Sequence, residues 1–118
     1  MFEIASIREW RGHDVVDNEG HKIGVLEAVY VDTSTDQPSF GTVQIGLPGR
    51  HRLVFVPLDR TIVGPGYLKV AFDKKQVKDA PSIDMDGELP AADEPTVFSH
   101  YGLTYQPGVN GERRLGRR

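Results

Sequence analysis

The chain has 118 residues, enough for one domain with a modest core, and its 38% hydrophobic and 26% charged residues are those of a soluble globular protein. The absence of cysteine excludes disulfides, thiolate metal sites and a cysteine nucleophile. The formal charge of −3 hides a split: with Arg113, Arg114, Arg117 and Arg118 set aside, residues 1–112 carry ten basic against 17 acidic side chains, a balance of −7 that makes the body a poor nucleic-acid surface.

No apolar stretch approaches the roughly 18 residues that span a bilayer. The N-terminus lacks a basic region followed by an apolar run, so the cytoplasm is the expected compartment. The 13 glycines and 8 prolines predict many turns between short elements.

Ser6-Ile7-Arg8-Glu9 fits a capping box, with Gly12 as the stop of about one helical turn. Ile7 and Trp10 share a face of that turn and, with Phe2 and Ile4, are expected to plug an open end of the following sheet. Gly12 to Asp32 reads as a β-hairpin: the apolar pair Val15 and Val16, a polar turn with Gly20, then an apolar run from Ile23 to Val31. In that run both the odd positions (Ile23, Val25, Val29, Val31) and the even ones (Leu26, Ala28, Tyr30) are apolar, so the strand needs cover on both faces. Gly24 marks a bulge or sharp bend. Asp32 to Ser39 is polar and dense in turn formers, hence a loop.

Further strands are expected at Phe40 to Ile45, at Leu53 to Leu58 with Pro57 at an end or edge, and at Thr61 to Val63 and Tyr67 to Phe72 around the turn Gly64-Pro65-Gly66. No connection is long enough for a crossover helix, so the sheet should be antiparallel. Apolar residues on both faces of so short a sheet favour an all-β fold, a small barrel of five or six strands with side chains filling its interior. Asp73 and Gln76 suggest a cap for a helix over Lys74 to Lys78, ended by Pro81. Asp93 is placed to cap a second helix from Glu94 to Gly102, which would dock Val97, Phe98 and Tyr101 on the barrel. The expected organisation is thus a barrel over 1–80, a loop and docking helix over 81–103, and an arginine-rich tail over 104–118.

The blocks RGHDVVDNEGHKIGVLEAVYVD, LVFVPL, VAFDKKQVKDAPSID and HYGL, in this order over residues 7 to 103, resemble the PRC-barrel family. The resemblance implies a small all-β barrel. The family's fold is found in the cytoplasmic domain of the photosynthetic reaction-centre H subunit, at the C-terminal end of a ribosome-maturation factor, and in short stand-alone proteins, which this chain resembles most. It also implies a protein-interaction module without a catalytic motif. Ala71-Phe72 departs from the family's more usual proline-aromatic pair.

No residue set argues for catalysis. Serines, histidines and aspartates occur, but no nucleophile motif frames a serine and no glycine-rich phosphate loop is present. Ser82 to Asp93 fits a calcium loop in part, through Asp84, Asp86, Gly87 and Asp93, yet serine takes the place of the first aspartate and the bidentate glutamate is missing. His13, His21, His51 and His100 lack the local spacing of a metal site, and no cofactor is expected. Arg50-His51-Arg52 is a basic turn suited to an acidic partner.

Three functional readings follow. The first is a non-enzymatic adaptor or assembly module, expected as a homodimer because an apolar outer barrel face needs cover from a terminal helix or a second copy. Tyr30, Phe40, Val54 and Val56 are its candidate interface residues, and its protein partner is unspecified. The second is calcium or small-ligand binding through Asp84, Asp86 and Asp93. The third is an accessory role in ribosome or RNA assembly through Arg113, Arg114, Arg117 and Arg118.

Overall fold

The hairpin at Gly12 to Asp32 forms around one carboxylate. In the computed structural model, which describes residues 7–107 and 112–117, β1 (Asp14–Val16) and β2 (Lys22–Asp32) pair antiparallel across a turn built on Asp17. The almost fully buried Asp17 carboxylate accepts from the backbone N–H of Glu19 at 2.9 Å, of His21 at 2.8 Å and of Lys74 at 3.3 Å. Gly20 completes the turn at φ +89°, a conformation that costs glycine nothing sterically. Burial works against the charged form of Asp17, but its hydrogen bonds from His21, Glu19 and Lys74 together bring its pKa below the ordinary aspartate value.

Gly24 marks the expected bulge. Val15 pairs with Gly24 but Val16 with Lys22, so Ile23 is the extra residue. A Cβ at Gly24 would lie 2.2 Å from the carbonyl oxygen of Gln44, so only glycine lets β3 (Pro38–Ile45) approach here.

From β3 the chain continues through β4 (Arg52–Pro57), the hairpin of β5 (Ile62–Gly64) and β6 (Tyr67–Lys69), α2 (Lys74–Lys78) and β7 (Ser82–Ile83). It then forms α3 (Glu94–His100) and a last strand, β8 (Leu115–Arg117); a first short helix, α1 (Ile7–Trp10), precedes β1. The sheet runs β5-β6-β1-β2-β3-β4-β7. One side of the long β2 carries β1 along its first residues and β8 along Tyr30 to Asp32.

The expected barrel of five or six antiparallel strands needs correction on three points. Among the described residues there are eight strands, β1 and β6 run parallel, and the hydrogen-bonded path is open, ending on the outer edges of β5 and β7. It nonetheless curls strongly. In a flat sheet β4 would lie five inter-strand spacings from β5, about 24 Å at ~4.8 Å each. The link from Pro57 to Ile62 spans only about 17 Å when fully stretched. The sheet must therefore bend round to bring these strands together, as the two-sided apolar pattern requires.

That pattern is realised at the centre: Ala28 to Val31, Phe40 to Val43 and Leu53 to Leu58 are buried without alternation. The Phe40 ring lies 5.0 Å from Phe98 of α3 and 6.5 Å from Tyr101, and Phe72 packs edge-on against Tyr101 at 4.9 Å. The Tyr101 hydroxyl donates to the Phe55 carbonyl at 2.5 Å, and burial pushes its pKa up. The terminal helix thus supplies the cover expected of it, with Val97 fully buried.

Helix α2 has its expected span, with the Asp73 carboxylate accepting from the Gln76 N–H at 2.7 Å. Asp93, by contrast, makes no side-chain cap; a 3-10 turn over Ala91–Asp93 runs directly into α3. Trp10 is buried in the core. The Ser6 cap, Phe2, Ile4 and the Ile7 side chain lie outside the described residues, as does Arg118. Among the described residues no helix is long and apolar enough to cross a membrane.

Candidate interaction surface

The structure puts the expected interface residues in the interior. Tyr30, Phe40, Val54 and Val56 are at most 3% exposed, because both faces of the central strands are covered within the single chain. They cannot form an outer face. Nor does the acidic loop assemble a metal site. Ser82 belongs to β7 and pairs with Val54, Asp84 opens a turn closed by the Gly87 N–H, and Asp93 sits in the turn before α3. Among the described residues no three histidines, aspartates or glutamates come close enough to hold a metal ion. His21 donates to Asp17 at 3.2 Å and His100 to the Gln76 carbonyl at 2.7 Å, each in a separate structural role.

The described arginines of the C-terminal segment are engaged by the fold. Glu94, wholly buried at the start of α3, accepts from the N–H of Arg114 at 2.8 Å and of Leu115 at 2.9 Å and from the Tyr105 hydroxyl at 2.8 Å. This fixes the backbone of β8 beside β2. The Arg114 guanidinium meets Asp32 at 2.7 Å, and Arg117 forks onto Glu27 at 3.1 and 2.6 Å. Thr33 donates to the carbonyl oxygens of Arg113 at 2.7 Å and Arg114 at 2.9 Å, and Arg113 donates to the Leu89 carbonyl at 3.3 Å. Burial opposes the charge on Asp32, but Arg114 and the Ser34 N–H bring its pKa below the ordinary value. These residues close one side of β2 instead of forming a loose cationic tail.

Exposed apolar surface lies elsewhere. Strand β5 borders β6 on one side and no described strand on the other, and it offers Ile62 at 58% and Val63 at 42% exposure. Successive strand residues point to opposite faces, so the free edge is apolar on both. Tyr67, directly opposite Gly64, folds its ring so tightly over that glycine that a Cβ there would sit 2.2 Å from the ring, leaving the tyrosine 37% exposed. Edge strands are usually guarded by charge, bulges or covering loops. Ile62 to Gly66 carries no charge; its guards are its three-residue length and Pro65.

An open, strongly curled β sheet whose strand β6 leads into the short helix α2 is the architecture on which the family comparison bears, and the PRC-barrel domain model matches residues 2–77. The chain belongs to the PRC-barrel domain family. No curated protein matches it. The PRC-barrel match takes in β1 to β6 and ends at Val77, the buried residue of α2, so that the free edge of β5 falls within it. Strand β7, helix α3 and the Glu94-held strand β8 lie beyond the match and pack onto this PRC-barrel domain from its C-terminal side in sequence.

Sequence reasoning missed both Glu94 and the β5 edge. Glu94 reads as an ordinary acid in the first turn of a helix, and its partners are the Tyr105 hydroxyl and two backbone N–H groups 20 and 21 residues away. The edge had a signal: Thr61-Ile62-Val63 is an apolar strand followed by a Gly-Pro-Gly turn, the last hairpin before the helical segment and hence a candidate for the sheet's border.

Proposed function

We propose that the protein is a non-enzymatic interaction module that associates with a second copy of itself through the outer edge of β5. The observation that carries this is the pair Ile62 and Val63 exposed on a strand edge that no described segment covers. Such an edge offers backbone N–H and C=O groups for strand addition, and its side chains supply apolar contact on both faces. An uncharged edge is complementary to itself: two copies related by a two-fold axis bring Ile62 and Val63 together with no like-charge repulsion. Three strand residues and one tyrosine make a patch below the standard interface size, so the dimer belongs to the weak, reversible class.

Sedimentation velocity over rising protein concentration tests this. The unmodified chain should move from monomer to dimer, and Val63→Lys, which places the usual guard on the edge, should stay monomeric with its fold intact. A monomer at every concentration up to about the millimolar range, where even weak contacts of this size form, would refute the proposal.

A further inference from the structure

A second surface has different chemistry. Between β2, β3 and the end of α2 lies a groove of about 510 Å³ whose walls include Lys22, Gly24, Gln44, Leu47, His51 and Lys78. Arg52 ties the β3–β4 turn to the helix by donating to the Lys78 carbonyl at 3.0 Å, and Arg50 stands exposed beside it. Two cations, Lys22 and Lys78, thus line the groove and the Arg52 guanidinium is tied to its Lys78 end, on a chain whose residues 1–112 balance at −7.

Lys22 is partly offset by Asp14 at 3.2 Å, and Asp79 adjoins Lys78 in sequence but faces a separate hollow with Pro81 and His100. Among the described residues no carboxylate forms an ion pair with Arg50, Arg52 or Lys78. Leu47 stands on the rim at 72% exposure, the highest of the large apolar side chains described. Exposed apolar surface beside unpaired cations fits a ligand carrying both carboxylates and apolar side chains.

From this we infer that the groove docks an acidic peptide segment of a different protein, one in which apolar residues alternate with aspartate or glutamate. A second copy is disfavoured, since two such grooves brought together would repel. A long polyanion is disfavoured by the acidic remainder of the chain, which an extended nucleic acid would have to cross. The inference rests on the reading of the chain as an interaction module but not on its self-association.

The test is a titration of the ¹⁵N-labelled full chain with a synthetic peptide that alternates leucine with aspartate and glutamate. The same peptide with asparagine and glutamine in place of the acids is one control, and a single-stranded RNA of matched charge is the other. Amide shifts are expected at Leu47, His51 and Lys78 with the acidic peptide alone. Affinity should fall about tenfold in Lys78→Glu and at high salt, and further in Leu47→Ser. These side chains are exposed, so the variants keep the fold.

No binding of the acidic peptide, equal binding of the amide control, or tighter binding of the RNA at these residues would overturn the inference. Val63→Lys should bind the peptide as the unmodified chain does. Loss of binding in that monomeric variant would show that the groove depends on the dimer and would overturn the independent site inferred here. Failure of self-association with peptide binding intact leaves the groove standing and removes only the β5 edge.

Discussion

Replacing Asp17 with asparagine keeps the side chain's shape but sets an NH₂ group against the N–H donors of Glu19, His21 and Lys74 that now converge on the two carboxylate oxygens. Hydrogen bonds to a charged acceptor contribute more than neutral ones, so Asp17→Asn should cost about 2 kcal/mol in urea unfolding at neutral pH. The acid limb carries a second signature. Asp17 and Asp32 both titrate below the ordinary value of 3.8, so each adds stability that is fully present above that pH and is lost as pH falls through the depressed native pKa. Urea midpoints should therefore drop steeply below about pH 4, and more gently in Asp17→Asn; equal slopes in the two proteins would count against this account of Asp17. Gly24→Ala tests packing at the same hairpin, since its methyl carbon must displace the Gln44 carbonyl. The expected loss is about 2 kcal/mol, and an unchanged melting temperature would show that β2 and β3 can separate without penalty.

Among the elements, β8 depends on groups far from it in sequence. Removing the Glu94 side chain strands the buried N–H of Leu115 and leaves the part-buried N–H of Arg114 and Tyr105 hydroxyl without their acceptor, so Glu94→Ala should loosen β8 by about 2 kcal/mol. Arg117→Ala breaks a half-exposed ion pair with Glu27 and should cost under about 1 kcal/mol. Hydrogen exchange reads the difference: the amides of Arg114 and Leu115, which donate to Glu94, and of Thr33, which donates to the Arg114 carbonyl, should exchange faster in Glu94→Ala, while those pairing β3 with β4 keep their protection. Uniform acceleration across the sheet would mean that β8 is part of the global unfolding unit. The same contrast explains what could be read in advance. Helix α2 was legible because Asp73 and Gln76 cap it locally, and β2 because its two apolar faces are contiguous. Strands β7 and β8 were not, since two or three residues carry no period and their pairing is decided by Val54 and Tyr30, many residues away. The interface expectation failed for a related reason. In Tyr30, Phe40, Val54 and Val56 both faces look alike, and exposure depends on distance from the middle of the sheet, which periodicity does not encode.

For the whole molecule, the sheet's curl and its open path belong together. The short link from Pro57 to Ile62 draws β5 towards β4, while β7 occupies the outer edge of β4, so among the described residues no ladder closes the wall and none covers the outer edge of β5. Self-association there should be visible in stability, because a contact made only by the native chain shifts unfolding by mass action. Raising the protein concentration to about ten times the dimer dissociation constant adds about 1.4 kcal/mol per site, which for a domain of this size moves the melting temperature by roughly 4–8 °C. Calorimetry over a wide concentration range should show this rise in the unmodified chain and a flat line for Val63→Lys, with the two proteins melting together when dilute. The dilute coincidence separates the edge from the core: Val63 is 42% exposed and lies outside the buried core cluster. A melting temperature independent of concentration in both proteins would leave β5 as a guarded edge, its shortness and Pro65 having sufficed to keep partners away.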